Sequence, residues 1–165
     1  MIVFAAVALL AAVVTWLMSL GTLRFALARG IHPPVRERDV HRTPTPRLGG
    51  VAMFAGVVAA LTAGAFVPQF QAAYAEPHRI VVLLCATGFI VAVGVLDDLL
   101  DLDWMLKLGA QLVAAGVIAF FVVRITSTPN PFGGIAVGSQ QMSIVLTIIT
   151  IVLVMNAVNF IDGLD

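Results

Sequence analysis

Five apolar runs free of charged side chains punctuate the chain, at about residues 1–23, 48–67, 80–96, 108–123 and 143–161. A helix needs roughly 20 such residues to cross a hydrocarbon core about 30 Å thick. The runs therefore predict five transmembrane helices and an all-α integral membrane protein. The third and fourth are short, so their polar ends are expected to snorkel to the interface or to sit within a bundle of other helices. Three polar segments adjoin them, at 24–47, 97–107 and 156–165. The last connection between runs, "ITSTPNPFGGIAVGSQQ" from Ile125 to Gln141, has Pro, two adjacent glycines and no charge, and reads as a turn or short hairpin.

Composition strengthens this picture. Apolar residues make up 61% of the 165 and charged ones 11%, with a mean hydropathy of +1.06, whereas soluble domains are roughly half apolar and a quarter charged. Nine basic and nine acidic residues cancel, so net charge points to no partner class and no nucleic-acid partner is expected. The single cysteine, Cys85, excludes an internal disulfide and reads as a packed apolar residue. Ala26-Leu27-Ala28 mimics a signal-peptidase site, but a basic n-region is missing and the apolar run is too long, so the first helix is expected to be retained.

Charge placement sets the topology. Arg24, Arg29, Arg36, Arg38, Arg42 and Arg47 crowd the first polar segment, whereas the second loop has only Arg79, with Glu76. The excess of positive charge puts the first segment in the cytoplasm and the N-terminus outside. Counting crossings forward makes 97–107 and 156–165 cytoplasmic too. Three polar segments then share one side of the membrane.

Those segments carry the candidate chemistry. Asp97, Asp98, Asp101, Asp103, Asp162 and Asp165 fall in the last two, and like charges this close need a cation to hold them. If the helix continues past Leu96, Asp97 and Asp101 stand four apart on one face and Asp98 three from Asp101, while Asp103 points about 200° from Asp101. Burying four carboxylates at about 2.5–3.5 kcal/mol each would cost as much as a whole domain's stability, so they must meet water or metal. Mg²⁺ suits such a set, with Mn²⁺ as a substitute, because it keeps several waters and shares one or two carboxylates with substrate phosphates.

In "NAVNFIDGLD" the three-residue steps put Asn156 and Asn159 on one stripe, and a break at Gly163 would re-aim Asp162 and Asp165 at one site. The Asn amides would donate to phosphate or sugar oxygens, or simply tie helices together. In the first segment, Arg36, Arg38, His41, Arg42 and Arg47 surround "TPTPRLGG", a stiffened loop able to clamp a diphosphate or to hold anionic lipid heads.

Taken together, "HRTPTPRLGG", "GVLDDLLDLDWMLKLGAQ" and "NAVNFIDGLD" resemble the polyprenyl-phosphate N-acetylhexosamine-1-phosphate transferase family, of glycosyltransferase 4 type. The resemblance is greatest to bacterial enzymes that move N-acetylglucosamine-1-phosphate from UDP-N-acetylglucosamine to undecaprenyl or decaprenyl phosphate, the first step of cell-wall or surface polysaccharide synthesis. It implies that Asp97, Asp98 and Asp162 are catalytic, and that Asp97, Asp98, Asp101, Asp162 and Asp165 hold the metal. Asn156, Asn159, Lys107, His41, Arg38, Arg42 and Arg47 would bind substrate. The family often shows Arg-Lys-x-His in the first loop, where this chain has "RERDVH". The resemblance further implies a bacterial inner-membrane location, a second copy as partner, and a bundle of ten to eleven helices. Residues 1–165 would then be the N-terminal half, inactive alone.

The chief alternative within the family is the phospho-N-acetylmuramoyl-pentapeptide transferase, which tends to differ at His41 and Asp101. Outside it stand a membrane prenyltransferase, consuming prenyl diphosphate, and a transporter half using inner-face acids for ion coupling. The topology has its own test. Cysteines introduced at Arg42 and Asp103 should react with impermeant reagents only from the cytoplasmic side, and one at Asn130 only from outside; a reversed result at any position breaks the helix count.

Overall fold

A computed structural model describes residues 1–29, 49–129 and 135–162. Helix α1 spans Ile2–Arg29, α2 Gly49–Gly64, α3 Pro77–Leu100, α4 Trp104–Phe121 and α5 Gln140–Asp162, with a 3-10 turn at Pro68–Phe70. The expected hairpin is present as strands β1, Ser127–Pro129, and β2, Ile135–Val137, paired antiparallel with Ser127 opposite Val137. Six strand residues leave the all-α class intact.

Among the described residues, α1, α3, α4 and α5 are long and apolar enough to cross a membrane, and the chain is a multi-pass membrane protein. Helix α2 is shorter, at 16 residues, or about 24 Å, so one of the five expected crossings is not a full-length helix. An apolar run reports composition, not helix. The last residues of the run 48–67 leave α2 in a turn, with Phe66 N–H donating to the Ala63 carbonyl at 3.1 Å and Val67 N–H to Gly64 at 3.0 Å. The Tyr74 hydroxyl, donating to the Leu61 carbonyl, fastens this end.

The opposite discrepancy occurs in α3, α4 and α5, which extend beyond their charge-free windows. Absence of charge measures the part compatible with lipid, whereas a helix can carry polar residues once its end reaches the interface. Pro77 opens α3 at its first turn, where its missing N–H leaves no bond unmade.

The chain divides into two compact units. In the first, Met1–Pro77 with Val91–Leu102, α1 packs on α2 through small residues. Ala26, Ala52 and Gly56 are buried. A Cβ at Gly56 would lie 2.1 Å from Thr15 Oγ1 and 2.7 Å from the Ala11 carbonyl, so only glycine permits this approach. Phe4 meets Phe70 edge to face at 4.9 Å.

The second unit comprises His78–Ile90 and Asp103–Asp165. Here Ala114, Ala115 and Ala119 of α4 are buried, as are Ser143 and Thr147 of α5. Thr147 Oγ1 donates to the Ser143 carbonyl at 2.7 Å and accepts from Ile125 N–H at 2.9 Å, pinning the chain just after α4 to α5. Arg124 donates to the Ala119 and Phe120 carbonyls at 2.9 and 2.8 Å, and Arg79 to Val122 at 3.4 Å. Two cations thus satisfy the negative end of α4.

Large apolar side chains such as Leu9, Trp16, Phe89, Leu112 and Leu153 are exposed, while the buried positions among the described residues are Ala, Gly, Ser and Thr. Lipid tails solvate leucine as well as another leucine does, so helices in a membrane gain most where small residues let backbones approach. Cys85, expected to be packed, is exposed on α3 by the same logic.

Candidate functional site

Helix α3 does run on past Leu96, carrying Asp97 and Asp98 into its last turn. It stops at Asp101, whose φ of 52° and ψ of 65° place it in the left-handed region, alone among described non-glycine residues. Aspartate tolerates this conformation better than most side chains. The Asp101 N–H donates to the Asp97 carbonyl at 2.8 Å, and the Leu102 N–H to Asp97 Oδ1 at 3.0 Å. Asp97 therefore fixes the exit of α3 with both its backbone and one carboxylate oxygen.

This geometry corrects two expectations. Asp101 does not continue the helical face of Asp97, because the left-handed turn re-aims it. Asp103 is not about 200° round the same helix: it is extended, with φ −60° and ψ 144°, and precedes α4. Its carbonyl accepts from the N–H groups of Leu106 and Lys107 at 3.1 and 3.2 Å. The inner segment expected over 97–107 thus shrinks to the three residues 101–103, with Lys107 inside the first turn of α4.

A helix carries about half a negative charge at its C-terminus. Asp97, Asp98 and Asp101 stand at that end of α3, and Asp162 is the last residue of α5. Each is on the disfavoured end of its helix, whereas the same end of α4 is capped by arginine. Acids at such an end are opposed by the field of their own helix, which a cation would offset.

Within the second unit, α4 and α5 are joined by side chains. Asn156 Nδ2 donates to Gln111 Oε1 at 2.6 Å and to the Val152 carbonyl at 2.8 Å. Gln111 is the last residue of "GVLDDLLDLDWMLKLGAQ". Its signal was a lone amide in an otherwise apolar run, matched by Asn156 in another. Asn159 lies exposed one turn beyond Asn156.

Arg36, Arg38, His41, Arg42, Arg47 and Asp165 lie outside the described residues, as does the side chain of Asp162. Among the described residues, no three His, Cys, Asp or Glu side chains gather closely enough to hold a metal. The acids at the α3 end offer oxygen donors only, which fits a hard divalent ion that takes one or two carboxylates and completes its shell with water and phosphate.

The model of glycosyl transferase family 4 matches residues 80–165, just over half of the chain and the part that carries both acidic ends. The chain belongs to this family. It is 38% identical to the decaprenyl-phosphate N-acetylglucosaminephosphotransferase of Mycobacterium leprae, over 98% of this chain and 41% of that protein. It is 32% identical to a probable undecaprenyl-phosphate N-acetylglucosaminyl 1-phosphate transferase of Bacillus subtilis, over 86% of this chain and 37% of the relative. A phospho-N-acetylmuramoyl-pentapeptide-transferase of Desulforudis audaxviator is 33% identical over 78% of this chain and 43% of its own length. The chain therefore spans about two fifths of the curated relatives it matches. No solved structure matches it.

The family's acidic segment depends here on a left-handed exit that can be tested apart from activity. Asp101→Gly should leave thermal unfolding in detergent unchanged or slightly raised. Asp101→Val should destabilise by about 1–2 kcal/mol, and a valine variant as stable as the parent would contradict the turn.

Proposed function

We propose that the protein containing this chain transfers N-acetylglucosamine-1-phosphate from UDP-N-acetylglucosamine to a polyprenyl phosphate, releasing UMP. The observation that carries the reading is the coincidence of the family match over residues 80–165 with helices ending in aspartate at Asp97, Asp98 and Asp162. The relatives named for decaprenyl and undecaprenyl phosphate support the lipid acceptor.

The chemistry asks for positive charge more than for a base. A lipid phosphate has its second pKa at about 6, so much of it is a dianion at neutral pH. One of its oxygens bonds to the sugar-bearing β-phosphorus of the nucleotide as the bond to the bridging oxygen breaks, leaving UMP. The barrier lies in bringing a dianion to a diphosphate, and positioned charge lowers it. Mg²⁺, or Mn²⁺ in its place, when bound supplies that charge. Asp97, Asp98 and Asp162 serve as the carboxylates that hold it, with Asp101 and Asp165 completing the set. Asn159, Lys107 and the basic residues Arg38, His41, Arg42 and Arg47 bind the phosphates and sugar, and Asn156 belongs to the same end.

In this reading the protein lies in a bacterial inner membrane with its N-terminus outside and its acidic ends cytoplasmic, and pairs with a second copy. Residues 1–165 alone do not turn over, because a chain covering two fifths of its relatives' length holds two substrates in line only in part. Misplacement by about 1 Å can cost a hundredfold in rate. The Desulforudis relative favours a second reading, in which the sugar carried is phospho-N-acetylmuramoyl-pentapeptide.

Radiolabelled UDP-N-acetylglucosamine, supplied with polyprenyl phosphate to the full-length protein, tests the proposal. Label should pass to lipid with one UMP released per transfer, only when divalent cation and lipid phosphate are both present. Asp98→Asn should lower turnover at least a hundredfold with unfolding unchanged. UMP release without lipid phosphate, or near-normal turnover by the variant, overturns it; transfer of the muramoyl-pentapeptide alone selects the second reading.

A further inference from the structure

We infer that Gln111 is a positioning residue for the inner ends of α4 and α5, acting through a hydrogen bond that engages Asn156 and so removes its amide hydrogens from substrate binding. The consequence for catalysis rests on the transferase reading above; the hydrogen bond itself does not.

The Asn156 amide has two hydrogens. One goes to Gln111 Oε1 at 2.6 Å and the other to the Val152 carbonyl at 2.8 Å, so neither remains to donate to phosphate or sugar. The partners are 45 residues apart, and each stands in a helix otherwise dominated by Ala, Val, Ile and Leu. An amide in such surroundings has few competing partners, and side-chain hydrogen bonds between membrane helices help to hold them together.

Its place along the helices gives the pair its role. Lys107 lies one turn from Gln111, toward the start of α4, and Asn159 and Asp162 lie three and six residues beyond Asn156 toward the end of α5. At 1.5 Å per residue these are separations of about 5–9 Å along the axes. The buried contacts of α4 and α5, Ala114, Ala115, Ala119, Ser143 and Thr147, all lie toward the hairpin end of the two helices. Gln111–Asn156 is the tie displaced from that packing toward Lys107 and Asp162. Removing it leaves the alanine contact in place and frees the polar ends to move against each other. Chemistry sensitive to displacements of about 1 Å would register that loss in kcat.

The experiment compares Gln111→Leu, Asn156→Leu, the double variant and the exchanged pair Gln111→Asn with Asn156→Gln in the full-length protein. Each is read by thermal unfolding and by steady-state transfer from UDP-N-acetylglucosamine. Each single variant is expected to lose roughly ten- to a hundredfold in kcat with KM for the nucleotide sugar within about twofold. The double variant should be no worse than the worse single, because both remove one bond, and the exchanged pair should recover most of the rate. A KM rise at unchanged kcat in Asn156→Leu would show direct substrate contact and overturn the inference. So would a Gln111→Leu enzyme of parental rate, or singles whose effects multiply in the double. Should the parent protein transfer nothing, the transferase reading fails, and the unfolding midpoints still judge the pair: non-additive shifts uphold the bond and additive ones reject it.

Discussion

Carboxylates at the C-terminal end of a helix face a field of their own sign. Helix α3 ends in Asp97, Asp98 and Asp101, and α5 in Asp162, although nothing about forming either helix requires acids there. Arginine closes α4 in the manner helix electrostatics favours, with Arg124 on the Ala119 and Phe120 carbonyls. The contrast within one chain separates ends built for stability from ends built for something else. In the function proposed above, a divalent ion together with phosphate would supply the opposing charge.

The α3 exit shows how the backbone serves that arrangement. Asp97 lends one oxygen to the Leu102 N–H, and its carbonyl receives the Asp101 N–H. The chain thus turns within residues 101–103 and re-enters helix at once, placing Lys107 in the first turn of α4. A carboxylate retains acceptor capacity after one such bond, so shaping the turn and ligating a cation are compatible tasks for Asp97.

Much of this was legible in the chain itself. Charge-free runs marked each of the α-helices among the described residues, and the Pro-Gly composition of 125–141 announced the hairpin. The family was visible in "GVLDDLLDLDWMLKLGAQ" and "NAVNFIDGLD". Helix ends were less legible, because lipid compatibility and helix formation are different properties: α2 stops before its apolar run does, and α3 continues into its aspartates. The left-handed turn at Asp101 depends on one residue's φ and ψ, which no periodicity reports. The Gln111–Asn156 bond joins residues 45 apart, and only packing of α4 on α5 reveals that two isolated amides meet.

Mn²⁺ binding to the full-length protein, followed by electron paramagnetic resonance, tests most directly the proposed role of the terminal aspartates of α3 and α5 in holding a divalent cation. One saturable site is predicted, competed by Mg²⁺ and weakened at least tenfold by Asp98→Asn and by Asp162→Asn alike. Parental Mn²⁺ affinity in both variants would contradict the account.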